Sequence, residues 1–111
     1  MKYMLLIFNQ ESDQPPAGDP MAPWIAFGQE AAKVATQVAG EALQPSATAT
    51  MVSVRNGQRV TTDGPFADTK EQLGGFYIFD CANLDVALNL AAKIPSAPTG
   101  HIEVRPIMEF D

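Results

Sequence analysis

Asp63 stands at the end of the alternating run Arg59 to Thr62 and is followed at once by Gly64-Pro65. A carboxylate at a strand end, pinned by a glycine and a proline, is held in one orientation and suits a general base. Asp also closes turns routinely by accepting backbone amide hydrogens, so a capping role is the structural alternative. His101, Glu103 and Arg105 form a second group, because alternate residues of an extended chain point to one side. If that row borders a pocket, Arg105 can hold a carboxylate or an enolate and His101 can move protons. The plainer alternative is an Arg105 to Glu103 pairing across a dimer. Glu41 can complete either arrangement. Lys70, beside Glu71, is an anion clamp or one of two solvated charges. Phe66 anchors the intervening loop on the core or walls a pocket. The catalytic candidates are therefore Asp63, His101 and Arg105, and the substrate-binding candidates are Phe66, Lys70, Glu41 and Glu103.

Other chemistries find little support. Cys81 is the single cysteine and has no base beside it, so packing outweighs thiolate catalysis, and a disulfide within the chain is impossible. His101 is the single histidine, which leaves imidazole metal sites poor, and no stretch has the spacing of a calcium loop. Gly74-Gly75 lacks the spacing of a phosphate-binding loop. No metal and no cofactor are expected.

The elements that must position these residues follow from periodicity. Lys2 to Phe8 is apolar on both alternating faces, Tyr3, Leu5 and Ile7 on one and Met4, Leu6 and Phe8 on the other, as in a strand covered on both sides. Asn9 to Asp19 is polar and rich in turn formers, and reads as an exposed loop. Asp19-Pro20 opens a helix. Met21, Trp24, Ile25, Gly28, Ala31, Ala32, Ala35 and Val38 recur at steps of three and four, which predicts one apolar face ending near Gly40, with Met21 and Trp24 in the core. Thr48 to Val54, the Asn56-Gly57 turn and Arg59 to Thr62 predict a hairpin with a type I′ turn. Asp63-Gly64-Pro65 ends it, and Thr69 with Gln72 has capping-box spacing for a helical turn over 68–72.

Leu73 to Phe79 is a further strand, with Gly74-Gly75 at its start for a bend or a close approach. Asn83 caps a second helix whose stripe is Leu84, Ala87, Leu88 and Ala91, ended by Pro95. His101 to Arg105 is the last strand. The order β-α-β-β-β-α-β predicts an α+β domain of ferredoxin-like class, with both helices on one face of the sheet. The doubly apolar first strand then asks for a greasy cover on the other face, and a homodimer supplies it.

With 111 residues, one domain spanning 1–111 is expected. A net charge of −6 disfavours direct nucleic-acid binding and anionic membranes. The longest apolar run near the start is too short to span a bilayer and no cleavage pattern follows it, so a cytoplasmic location is expected.

The run Thr62-Asp63-Gly64-Pro65-Phe66-Ala67-Asp68-Thr69-Lys70-Glu71-Gln72-Leu73-Gly74-Gly75-Phe76-Tyr77 resembles the signature of the YCII-related family in its DGPF branch. Met1-Lys2-Tyr3-Met4-Leu5-Leu6, Gly40-Glu41-Ala42-Leu43-Gln44-Pro45 and Ile102-Glu103-Val104-Arg105-Pro106 agree with it. The resemblance implies a dimeric α+β barrel made of two ferredoxin-like subunits, with a pocket enclosed between sheet and loop. It implies no settled activity. Some relatives resemble small-molecule enzymes, and the branch is often encoded beside extracytoplasmic-function sigma factors. Two functions are therefore expected: a cofactor-independent enzyme on an unknown small molecule, with Asp63 as base and Arg105 or Lys70 as stabiliser, or a non-catalytic ligand-binding or regulatory module with a possible sigma-factor partner.

Overall fold

The strand Lys2–Asn9 (β1) lies in the middle of the molecule, antiparallel to a neighbour on each side. A computed structural model describes residues 1–12, 18–64 and 70–110. After β1 come α1 (Ala22–Ala31), β2 (Ala35–Ala42), a turn of 3-10 helix (Ser46–Thr48), β3 (Thr50–Arg55), β4 (Gln58–Asp63), β5 (Gln72–Cys81), α2 (Leu84–Lys93) and β6 (His101–Pro106). The main sheet has the order β2-β5-β1-β6 with antiparallel neighbours throughout, the ferredoxin-like arrangement, and β3-β4 forms a separate two-stranded sheet. The α+β class expected from periodicity is the class observed.

The first helix is much shorter than its periodicity predicts. It stops at Ala31, where Lys33 and Val34 donate tightened bonds to the carbonyls of Glu30 and Ala31. Ala35 to Ala42 then pairs with β5 as an edge strand. Ala35 and Val38 continue a helical spacing, but Val34, Thr36 and Val38 also alternate, and β-branched side chains favour a pleated strand. The hydrogen-bond partners offered by β5 decide between the two.

Tyr3, Leu5 and Ile7 of β1 are buried beneath the helices with Phe79, Phe27, Ala31, Ala87, Leu90, Ala91 and Ile94. Full burial of Leu5 or Phe79 contributes about 1.5–3 kcal/mol each. On α2 the predicted cap holds: Asn83 Oδ1 accepts the Val86 amide at 3.0 Å. Its buried stripe is turned from the predicted one, with Leu90 inside and Leu84 and Leu88 exposed. Ala87, Leu90, Ala91 and Ile94 keep the three-and-four spacing, so the true stripe continues past the helix end to Ile94.

Asn56 (φ 53°) and Gly57 (φ 75°) take the positive angles of a type I′ turn, as expected from the Asn-Gly pair. The close approach predicted at Gly74-Gly75 is also present: a Cβ on Gly75 would lie 2.8 Å from the Glu41 carbonyl oxygen of β2. Gly75→Ala therefore forces β2 and β5 apart, and we expect a loss of about 1–3 kcal/mol in urea unfolding, with the fold retained.

Candidate functional site

The helix α1 faces the sheet across two kinds of neighbour. Phe27 and Ala31 enter the core, whereas Met21, Trp24, Ile25 and Gly28 line a cavity of about 800 Å³ between α1, the ends of β1 and β5, and β2. Of the two residues expected in the core, Trp24 packs partly buried against it and also walls the cavity, whereas Met21 is exposed at the cavity's edge. Ten helical residues span only about 15 Å, too little to fill that end of the sheet, and Gly28 withholds the side chain that would help. Among the described residues, no atom beyond its chain neighbours and the adjoining turns of its own helix comes within 4 Å of a Cβ built on Gly28. A glycine inside a helix costs about 0.5–1 kcal/mol relative to alanine, which makes the open space at Gly28 a feature with an energetic cost.

Opposite α1, Tyr77 and Gly40 form the sheet side of the cavity. A Cβ on Gly40 would meet Tyr77 Cδ1 at 2.8 Å, so the bare backbone there makes room for the phenol ring. Tyr77 is held by contacts with two rings, Phe79 at 5.3 Å and Phe27 at 5.4 Å between centroids. Desolvation by burial pushes its hydroxyl above the ordinary tyrosine range. At the mouth, Glu11 accepts from the Ser46 amide at 2.7 Å and from Ser46 Oγ at 3.0 Å, tying the end of β1 to the 3-10 turn. Ser96 Oγ also lies against the cavity, buried and without a hydrogen-bond partner among the described residues.

The other face of the sheet, away from the helices, carries Met4, Leu6 and Phe8 in register with Ile78 and Phe76 on one side and Arg105, Glu103 and His101 on the other. The polar row predicted from alternation is therefore real, and Arg105 bonds Glu103 at 2.5 Å within the chain. His101 stacks on Phe8 at 4.9 Å, with ring planes 7° apart, and its Nδ1 is paired with Glu71. A carboxylate on one imidazole nitrogen fixes the ring and leaves the other nitrogen to move a proton. A shallower hollow of about 270 Å³ touches Met4, Leu6, Phe8, Glu103 and Arg105 on this face.

Of the predicted site residues, Glu41 stands at the rim of the large cavity, Glu103 and Arg105 line the shallow hollow, and His101 lies beside it. Asp63 is exposed at the end of β4, paired in the ladder with Thr50, and lines neither cavity. Lys70 is exposed and lines neither, while Glu71 is not merely solvated but engaged with His101. Phe66, and the helical turn expected over 68–72 as far as Thr69, lie outside the described residues, and Gln72 begins β5. The spacing argument missed the wall formed by Trp24, Ile25 and Gly28. The available signal was a glycine in the middle of an apolar helical stripe.

A family model of the YCII-related domain matches residues 1–111, the whole chain. The chain belongs to the YCII-related family. This YCII-related domain is also 48% identical, over 67 residues, to an uncharacterized protein of Rhizobium meliloti (strain 1021), a match covering 59% of this chain and 54% of that protein. The matched stretch thus spans about half the length of that relative. Among the described residues, no helix of the YCII-related domain is long and apolar enough to cross a membrane, and no three His, Cys, Asp or Glu side chains gather as a metal site.

The raised Tyr77 ionisation has a sign that can be measured. Because the neutral phenol is favoured in the folded state, its contribution to stability is whole below the unfolded tyrosine value of about 10 and is lost as pH rises through the higher native value. The difference in ultraviolet titration between the parent chain and Tyr77→Phe should show a phenolate that forms later than in free tyrosine. A coincident titration would mean that the ring is hydrated.

Proposed function

We propose that this YCII-related domain works as a homodimer that takes up a small, largely apolar organic molecule in the cavity between α1 and the sheet. The observation that carries this reading is Gly28. It leaves open a space that a larger side chain would fill at a gain in helix stability, beside Trp24 and Tyr77 in a cavity whose surface is mostly apolar with polar groups at its edge.

Support for the dimer comes from the uncovered surfaces. Met4, Leu6, Phe8, Phe76 and Ile78 make an apolar centre on the open sheet face. Among the described residues, Val52, Val54 and Val60 are exposed on a hairpin that pairs only with itself. An isolated two-stranded hairpin is marginal in water. The radius of gyration, 16.1 Å, exceeds the value of about 13 Å for a compact chain of this length, and the hairpin forms a sheet separate from the main one. A second copy would cover both surfaces and enclose the His101–Glu71 pair, which makes that pair a stronger acid–base candidate than Asp63.

Two measurements test the reading. Trp24 is the only tryptophan, so its fluorescence reports on the cavity wall. Titration with the neutral probe phenethyl alcohol should change it saturably, and Gly28→Leu should abolish the change while leaving the melting temperature unchanged or higher. An unaltered response in Gly28→Leu would reject the cavity as the binding site. Light scattering should give twice the chain mass of 11.9 kDa, and Leu6→Glu on the open face should give monomers. A parent chain that is monomeric at micromolar concentration would exclude the dimer.

A further inference from the structure

All seven Lys and Arg side chains and the one His belong to the described residues, and none of them lines the large cavity. Among the described residues, the charged ones that do line it are Glu11 and Glu41. Glu11 is held in place by its two hydrogen bonds from Ser46, so its charge at the mouth is positioned before any ligand arrives. The amino end of α1 supplies an opposing partial positive charge, but Pro23 removes one amide donor there and Asp19 accepts the Met21 amide. Two full negative charges outweigh that partial one. The walls suit an aromatic body, because Trp24 and Tyr77 both line the cavity and offer ring contacts to it, and the net charge of −6 draws cations toward the mouth.

We propose that the cavity is selective for organic cations, namely small amines with an apolar and preferably aromatic body, whose ammonium meets the Glu11 carboxylate while the body lies against Trp24 and Tyr77. The proposal rests on the reading of the cavity as a ligand site and adds its chemical class. It also sets aside an anion held by Lys70 or Arg105, since both stand away from this cavity. Glu41, on the edge strand at the rim, strengthens the same field.

Three probes with one skeleton test it: phenethylamine, phenethyl alcohol and phenylacetate, titrated at neutral pH and low salt against Trp24 fluorescence. Phenethylamine should bind about tenfold more tightly than the alcohol, the factor that one charge-assisted hydrogen bond readily supplies, and phenylacetate should bind most weakly. Glu11→Gln keeps an acceptor for Ser46 and should remove the advantage of the amine while leaving the alcohol unchanged, which also shows that the cavity is intact. Added salt should narrow the gap between amine and carboxylate. Phenylacetate binding as tightly as phenethylamine, or a Glu11→Gln chain that keeps the full preference, would overturn the selectivity while the cavity reading stands. Failure of all three probes to bind would overturn both.

Discussion

The register of β1 between its two neighbours is the constraint on which the rest depends. Leu5 pairs with Tyr77 on one side and Val104 on the other, so Tyr3, Leu5 and Ile7 point to the helices and Met4, Leu6 and Phe8 point away. Side chains alternate with a period of two, and a slip by one residue would exchange the two sets completely. The buried core, the cavity floor and the polar row of β6 all follow from that one alignment. A bulge at Ile7/Phe8, opposite Gly74, takes up the one irregularity in the ladder.

Unequal cover follows from the same alignment. Two helices of ten residues lie over four strands, and α2 is wedged against the sheet through Ala87 and Ala91, whose small side chains permit close approach. The helix α1 cannot do the same at both of its ends. Phe27 and Ala31 reach the core near its carboxyl end, and the amino end stands off over Tyr77. The cavity is thus a packing shortfall that the fold keeps, with Gly28 leaving it open on the helix side and Gly40 making room for the Tyr77 ring on the sheet side. Cys81, buried and hydrogen-bonded to the Asn83 carbonyl, belongs to the structural side, helping to seat the cap of α2.

Much of the fold was legible residue by residue. The strand of alternating apolar faces, the Asn56-Gly57 turn, the Asn83 cap and the close approach at Gly75 each depend on local stereochemistry, and each is found where the residue types place it. The segment from Ala35 to Ala42 was not legible, because its apolar residues satisfy a helical and an alternating pattern at once and only pairing with β5 separates them. The candidate site divides in the same way. Alternation along β6 placed His101, Glu103 and Arg105 on one side. Nothing in the neighbourhood of His101 in the chain points to Glu71, whose carboxylate arrives from the approach to β5.

By itself the sequence determined the membership of the chain in an α+β class, its turns and caps, and the two-faced nature of its first strand, since these rest on backbone angles and on the period of side chains within one element. Tertiary structure alone decided where α1 yields to a strand, that Trp24 walls a cavity at the edge of the core, and which carboxylate meets His101. Those outcomes depend on contacts between elements far apart in the chain, where hydrogen-bond partners and available volume, not local preference, set the lowest free energy.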